Sequence, residues 1–203
     1  MENTPVKSSI KPKARKVAKP RTQLDRARWI ETAIDVLATD GVSGLRVEVL
    51  AKRCGVTKGS FYWHFKDRQA LLDAILAFWK DGRIRDIEKT TSVAAGKELD
   101  QLHYVIELYG ANRNRKGMSI ELAVRDWARH DPQAAAVVES VDIYRLECTR
   151  KLFGAAGMND AEAKSRSLLL YACVFGLSLM HYSQFDENLV DLKHRIAERI
   201  VSI

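Results

Sequence analysis

One short stretch of the sequence concentrates side chains of the types that bind nucleic acid. Hydroxyl and ammonium groups donate hydrogen bonds to base edges and phosphate oxygens, aromatic rings contact bases and sugars, and a glycine allows the backbone to approach closely. All of these types occur together at Thr57, Lys58, Gly59, Ser60, Tyr62, Trp63, His64 and Lys66. The stretch therefore predicts a contact with DNA.

No comparable pattern predicts catalysis. The sequence has no Gly-rich phosphate loop, no His-x-x-x-His or Glu-x-x-His metal spacing and no nucleophile elbow around a serine. Cys54, Cys148 and Cys173 are widely spaced and form neither a zinc pattern nor a disulfide framework, as expected of a protein in the reducing cytosol. We therefore expect neither an enzyme nor a bound metal or cofactor.

Two short helices joined at a glycine are needed to position the DNA-binding stretch. A helix-turn-helix motif requires a small residue where its helices cross, a residue that relieves the turn and an apolar residue that fills the space between the helices. Within the segment 46–65, Ala51, Gly55 and Val56 meet these three requirements in that order. The second helix, which begins after the N-cap residue Thr57, then presents its first residues to the major groove of DNA.

The positive charge of the chain lies in the same third of the sequence. Residues 1–66 hold 14 Lys and Arg against 6 Asp and Glu, a net charge of +8, whereas residues 67–203 carry a net charge of −1. A surface that only favoured solubility would spread its charge, so the asymmetry favours a nucleic-acid-binding end. Residues 1–21 are basic and proline-interrupted and predict a disordered arm, which either contacts DNA or only aids solubility.

The remaining sequence has helical periodicity throughout, so we predict an all-α fold of about nine helices. Start signals occur at Thr22 with Asp25, at Asp67, at Asp131-Pro132 and at Asn159 or Asp160. The longest weakly charged apolar stretch, residues 167–182, is too short to cross a membrane. The predicted helices cover about 22–40, 45–54, 57–65, 67–90, 97–114, 118–130, 132–153, 160–183 and 187–203, with a polar connection at 112–117.

The segment Arg26–Leu76 resembles the DNA-binding domain of the tetracycline-repressor (TetR) family of bacterial regulators. The resemblance is carried by the run Gly-Val-Thr-Lys-Gly-Ser-Phe-Tyr-Trp-His-Phe-Lys-Asp at residues 55–67. Beyond this segment the chain is similar to the family only in length and helical character. The resemblance implies a helix-turn-helix DNA-binding domain at 22–66 and a helical ligand-binding and dimerisation domain at 67–203.

The resemblance also implies a role for each matching residue. The start of the recognition helix, residues 57–60, would face bases and nearby phosphates. Tyr62 and His64 would contact phosphates, and Trp63 would contact a base or sugar; the alternative for the aromatic residues is an exposed patch without function. Lys66 would hold the DNA backbone at the start of the next helix.

Arg46 departs from the family pattern. Many members have Ser or Thr at this position, which corresponds to Val47 if the alignment shifts by one residue, and the hydroxyl there caps the second helix and touches a phosphate. An arginine cannot form an oxygen N-cap, but its guanidinium can bind a phosphate, so Arg46 is either a DNA contact or a solvated charge. Phe61 and Phe65, by contrast, would lie in the core and hold the recognition helix in place.

The helix predicted at 160–183 is apolar almost all round, and the helix at 187–203 carries one apolar stripe. A helix with two apolar faces must bury both, so one face would pack within its own chain and the other on a second copy. The alternative is a core confined to one chain. The predicted homodimer interface consists of Leu168, Phe175, Leu179, Leu192, Ile196 and Ile200.

Several aromatic residues of the C-terminal helices suit the lining of an apolar ligand pocket, although aromatic residues at helical spacing more often form plain core. His103, Arg125 and Asp126 are either polar anchors for a ligand or ordinary ion-pair residues. The predicted ligand contacts are Trp79, His103, Tyr109, Trp127, Tyr144 and Tyr171.

These features predict a sequence-specific DNA-binding regulator, a repressor that a small-molecule effector releases from a palindromic operator. The alternative is a DNA-binding regulator of the same fold that is controlled by a protein partner or has no small-molecule effector. An apolar cavity in the C-terminal domain favours the first hypothesis, and a solid core there favours the second.

Overall fold

The structure is a computed structural model of the chain that describes residues 25–92, 94–110 and 115–202. Over these residues the fold is all-α, with nine α-helices and a short 3-10 turn at Val42–Gly44, which confirms the predicted class. The predicted arm at 1–21 and Thr22 lie outside the described residues. The helices are α1 (Arg26–Asp40), α2 (Val47–Cys54), α3 (Lys58–Tyr62), α4 (Arg68–Thr91), α5 (Glu98–Gly110), α6 (Arg115–Ala128), α7 (Pro132–Ala155), α8 (Asp160–Leu179) and α9 (Leu189–Val201).

Polar side chains cap the helices at most of the predicted start signals. Asp67, Asp131 and Asn159 each accept a hydrogen bond from a backbone amide in the first turn of the following helix. The first helix is capped by Asp25, which accepts from the Arg28 amide, so α1 begins later than the predicted start at Thr22. Each cap satisfies an otherwise unpaired amide and stabilises its helix by about 1 kcal/mol.

Two helix boundaries in the C-terminal half differ from the prediction. Helix α6 already begins at Arg115, so part of the segment 112–117 that we predicted as a connection is helical. A polar segment is exposed to solvent whether it forms a loop or the first turn of a helix, so its composition alone does not distinguish the two. Helix α8 ends at Leu179 instead of near Ser183, because the backbone at Met180 is extended.

One hydrophobic core joins the N-terminal helices to the middle of the chain. It contains residues of α1 to α4 together with residues of α6 and α7, so the predicted domain boundary at 66/67 lies within a continuous core. An ion pair of 2.7 Å between Lys116 Nζ and Asp35 Oδ1 adds a surface contact between α6 and α1. The helix-turn-helix is therefore packed against the helices that follow it.

A second core joins α5, the end of α7, α8 and α9. The inner face of α8 contributes Leu170, Tyr171 and Val174 to this core. The opposite face of the same helix remains exposed, and it includes Leu168, which is 61% exposed. Within the described part of the chain, none of the helices combines the length and apolar character that crossing a bilayer requires.

Candidate nucleic-acid interface

The turn between α2 and α3 has the geometry that the sequence predicts. Gly55 adopts a left-handed conformation (φ 69°) that side-chain-bearing residues rarely adopt. The Val56 amide donates to the Ala51 carbonyl at 3.0 Å and the Gly55 amide donates to the Lys52 carbonyl at 3.2 Å, which closes the end of α2. Ala51 is buried and Val56 packs on the N-terminal core, so both perform the predicted packing roles.

Three buried aromatic rings hold the short helix α3 against α1. The Phe61 ring lies edge-on to Trp29 at 5.4 Å and stacks on Phe65 at 5.3 Å between centroids. Phe61 and Trp29 are fully buried and Phe65 is nearly so, which confirms the predicted core role of the two phenylalanines. A helix of five residues is unstable alone, so this packing fixes the direction of α3.

The predicted DNA-contacting residues are mostly exposed around α3. Tyr62 is 61% exposed and Trp63 is 82% exposed, although large aromatic side chains usually bury most of their surface. Thr57, Lys58, Gly59 and Lys66 are exposed, and so is Arg46 before α2. Each of these residues is therefore accessible to solvent in or beside the helix-turn-helix.

His64 differs from its neighbours because it is only partly exposed. Its Nε2 atom is shielded from solvent and has no hydrogen-bond partner among the described residues. Only one edge of the ring is therefore available to a phosphate, and the placement of His64 supports a DNA contact less strongly than that of Tyr62. Ser60 is also half-buried.

The fold does not require the side chains present at Thr57 and Gly59. The Thr57 backbone occupies the N-cap position of α3, but its hydroxyl forms no capping hydrogen bond. At Gly59 the φ angle is not positive, and an added Cβ would meet only Thr57 Oγ1 at an ordinary 3.7 Å. A free hydroxyl and an unneeded glycine at the start of α3 are consistent with a surface that accommodates DNA.

Two arginines flank the motif in different roles. Arg46 is the N-cap residue of α2 and forms no side-chain cap, so the guanidinium is not used to satisfy the helix end. Arg68, which sequence reasoning missed, donates from Nε to the Leu45 carbonyl at 2.7 Å and from a terminal nitrogen to the Val42 carbonyl at 3.1 Å. Arg68 thereby ties the start of α4 to the segment before α2 and positions the helix-turn-helix.

An acidic residue, Glu48, lies beside the predicted DNA-contacting lysine. Its Oε1 atom is 2.6 Å from Lys58 Nζ, and the pair joins the first turn of α2 to the first residue of α3. The hydrogen bond from Lys58 holds the pKa of the Glu48 carboxyl below its ordinary value. Sequence reasoning missed Glu48, because its ten-residue separation from Lys58 in the sequence is bridged only by the turn.

Three of the residues predicted to bind a ligand lie in the hydrophobic cores. Trp79, Trp127 and Tyr171 are buried core residues, and Trp127 Nε1 donates to Asp131 at 3.1 Å. The structure therefore places these three in the core, the alternative that the sequence left open. Of Tyr109 only the backbone is described.

Tyr144 and His103 are engaged in side-chain contacts. The Tyr144 hydroxyl donates to Glu88 at 3.0 Å, and this hydrogen bond raises the pKa of Tyr144 to about 12. His103 Nε2 lies 3.6 Å from Glu198, an ion pair when the imidazole is protonated. In the described part of the chain, no group of three or more His, Cys, Asp or Glu residues is arranged to hold a metal ion.

An open groove of about 340 Å³ lies between α6 and α7, away from the predicted ligand contacts. Its lining mixes apolar side chains, including Val138 and Leu146, with charged ones, including Arg125 and Asp142. None of the six predicted ligand residues belongs to this lining. The groove is therefore a candidate ligand surface that sequence reasoning did not identify.

Four charged residues form what we term the ionic cluster beneath this groove: Glu121 and Arg125 on α6, and Asp142 and Arg145 on α7. Glu121 accepts from Arg125 at 2.9–3.0 Å and from Arg145 at 3.2 Å, and Arg125 also donates to Asp142 at 2.8 Å. Glu121 and Arg145 are each only 3% exposed. Arg125, left open by the sequence between ligand anchor and ion-pair residue, is thus part of an ion-pair network.

The cluster also contacts α8 through an aromatic ring. The Arg125 guanidinium lies 4.1 Å from the Phe175 ring centroid, and the Arg145 guanidinium lies 5.3 Å from the same centroid. Cations over ring faces are stabilised by the ring quadrupole. The cluster therefore joins α6, α7 and α8.

The predicted interface residues divide into three groups. Leu168 and Leu179 are 61% and 62% exposed on the outer face of α8. Phe175, Leu192 and Ile196 are partly buried, and the first and last of these pack on the second core. Ile200 is 3% exposed within that core, so its side chain is used by its own chain instead of being available to a partner.

The N-terminal segment of the chain is similar to known regulatory proteins. Residues 30–75 match the model described as "Bacterial regulatory proteins, tetR family". Over 53 residues the chain is 45% identical to the class C tetracycline repressor protein of Escherichia coli, a match that covers 26% of this chain and 24% of that protein. Over 64 residues it is 39% identical to the HTH-type transcriptional regulator SrpR of Pseudomonas putida, covering 32% of this chain and 30% of the relative.

Solved structures extend the likeness of the fold to most of the chain. The reduced form of NemR from E. coli has a TM-score of 0.72 at 14% identity, and the match covers 87% of this chain and 97% of that one. A transcriptional regulator from Saccharomonospora viridis in complex with choline has a TM-score of 0.66 at 17% identity, covering 87% and 94%. Of these four proteins, one is named as a repressor protein and two as transcriptional regulators.

Proposed function

We propose that the protein is a homodimeric, sequence-specific transcriptional repressor of the TetR family, since residues 30–75 match the model of that family and the chain is 45% identical over 53 residues to a tetracycline repressor protein. The observation that carries the proposal is the surface around α3. There Lys58 and Tyr62 are exposed on a helix that buried aromatic rings hold in place, and Trp63 and Lys66 are exposed in the segment that follows it.

Selection of binding sites from a random DNA library tests this proposal. We expect the purified full-length chain to enrich a palindromic sequence, because a two-fold dimer presents its two recognition helices to half-sites one helical turn apart. Binding of all DNA sequences with equal affinity would refute a sequence-specific regulator.

We propose that α8 supplies the centre of the dimer interface. Leu168, Ala172 and Leu179 are exposed on the outer face of this helix at helical spacing. An apolar stripe of this kind is what a second helix needs for close packing. The chain's own second core occupies only the opposite face.

We further propose that a small molecule releases the repressor from its operator. The names of the relatives support this step, since one is a tetracycline repressor and one structure of similar fold holds choline. The groove between α6 and α7 offers the surface for such a ligand. If a partner protein controls the regulator instead, a panel of small molecules will leave operator binding unchanged while the partner relieves it.

Replacement of Lys66 by Ala is expected to weaken binding to all DNA sequences alike. Each lost phosphate contact lowers the slope of log affinity against log salt concentration by about 0.9, or about 2 for a dimer. Fluorescence anisotropy titrations across salt concentrations measure this slope. Lys89→Ala is the matched control, because Lys89 is exposed at the far end of α4, the helix that follows Lys66, roughly 30 Å away. An unchanged slope in Lys66→Ala would show that Lys66 does not contact a DNA phosphate.

Replacement of Gly59 by Ala is expected to change stability and DNA binding in opposite directions. The fold has room for the added methyl group, and alanine restricts the unfolded chain, so the free energy of unfolding should rise by about 0.5–1 kcal/mol. The same methyl group would separate α3 from the base edges and lower operator affinity about tenfold.

Urea unfolding and operator titration measure the two effects of Gly59→Ala. Gly82→Ala is the control, because Gly82 lies inside α4 and an added Cβ there meets nothing within 4 Å. This control should be stabilised without loss of DNA affinity. Unchanged operator affinity in Gly59→Ala would show that DNA does not approach this residue.

A further inference from the structure

The ion pair between Glu48 and Lys58 lies on the surface proposed to contact DNA. The two side chains are 58% and 59% exposed, and the nearest atoms are 2.6 Å apart. Lys58 is the first residue of α3, so its ammonium group occupies the part of the recognition helix nearest to a major groove. A carboxylate in that place faces the phosphates, which repel it.

The fold gains little from this pair. Exposed ion pairs typically contribute between about 0 and 1 kcal/mol to the free energy of unfolding, because water screens the charges. The hydrogen bond from Lys58 lowers the Glu48 pKa, so the carboxylate remains ionised at any pH near neutrality. At neutral pH it therefore neutralises the Lys58 charge.

We propose that Glu48 determines DNA specificity by positioning Lys58. The proposal rests on the proposed function, because it requires α3 to read a major groove. An ammonium group has three donors, so Lys58 can keep one hydrogen bond to Glu48 and offer the others to the O6 and N7 atoms of a guanine. Held in this way, the ammonium group does not swing to the nearest phosphate.

The consequence differs between operator and non-specific DNA. On a non-specific sequence the ion pair between Glu48 and Lys58 remains formed. Lys58 then makes no phosphate contact, so binding is weak. On the operator the held ammonium group meets a guanine and the pair contributes a base contact. Glu48 thus lowers non-specific affinity while it preserves operator affinity.

Glu48→Gln tests this proposal through the ratio of operator affinity to non-specific affinity. Freed from the carboxylate, Lys58 should bind a phosphate on any sequence. The salt slope on non-specific DNA should then steepen by about 0.9 per subunit, and non-specific affinity should rise about tenfold at moderate salt. Operator affinity should change far less, so the specificity ratio should fall about tenfold.

Two further variants separate this positioning role from a simple change of net charge. Glu31→Gln removes the same charge from a pair of similar exposure, Arg28 with Glu31 on α1, outside the helix-turn-helix. It should shift affinity for both DNAs equally. In the double variant Glu48→Gln/Lys58→Ala, the rise in non-specific affinity should disappear, because the freed ammonium group is gone.

The outcomes distinguish this inference from the proposed function. If Glu48→Gln raises both affinities by one factor, as Glu31→Gln does, Glu48 acts only through its charge and the inference is overturned while a DNA-binding regulator stands. If the unmodified chain shows no preference for any DNA sequence, the proposed function itself is refuted, whatever the Glu48 variants show. A lowered specificity ratio that depends on Lys58 supports both.

Discussion

Replacement of Glu121 by Ala is expected to lower the free energy of unfolding by about 3–5 kcal/mol. Glu121 is 3% exposed and accepts hydrogen bonds from both arginines of the ionic cluster. Its removal leaves Arg145 buried, and the nearest carboxylate described beside it is then that of Asp142, at 3.5 Å. A buried charge without a close partner is costly, because the protein interior does not replace its lost hydration.

Thermal unfolding followed by circular dichroism measures this effect, and we expect the melting temperature to fall by roughly 10 °C for a chain of this size. Glu31→Ala is the control, because it breaks an exposed ion pair and should cost less than about 1 kcal/mol. The double variant Glu121→Leu/Arg145→Met removes both buried charges and should recover most of the loss. Equal losses in the single and double variants would contradict the explanation by an unpaired charge.

The parts of the fold that the sequence predicts are those fixed by neighbouring residues. Gly55 ends α2 because its own amide donates to the Lys52 carbonyl and the Val56 amide donates to the Ala51 carbonyl. Asp67 and Asp131 cap helices that begin one residue later. Such signals lie within a few positions of their effect, so one sequence is enough to locate them.

Local sequence patterns did not predict the contacts between residues that are far apart in the sequence. Glu121 and Arg145 are 24 residues apart, and nothing in either local pattern indicates that they meet in the interior. A tryptophan at helical spacing, such as Trp79, is more often a core residue than a pocket residue, and the packing of α4 on its neighbours places Trp79 in the core. Ile200 continues the apolar stripe of α9, yet that stripe faces the chain's own second core.

The choice of residue decides how well the proposed dimer interface can be tested. Phe175, one of the predicted interface residues, is a poor choice because its ring lies 4.1 Å from the Arg125 guanidinium. A glutamate there would bind the arginine and disturb the ionic cluster inside the chain. Leu179 is 62% exposed at the end of α8, so a glutamate at this position leaves the fold of one chain intact.

Leu179→Glu is expected to convert the protein to a folded monomer and to lower operator affinity about 100-fold or more, because the second half-site is no longer held in place. In a two-fold interface each glutamate would be buried close to its symmetry mate without a compensating cation, which opposes association. Analytical ultracentrifugation measures the oligomeric state, and anisotropy measures operator binding. Ile143→Glu is the matched control, since Ile143 is 60% exposed on α7, and it should remain dimeric. If Leu179→Glu sediments as a dimer with unchanged operator affinity, the outer face of α8 is not the dimer interface. The two chains must then associate through another surface.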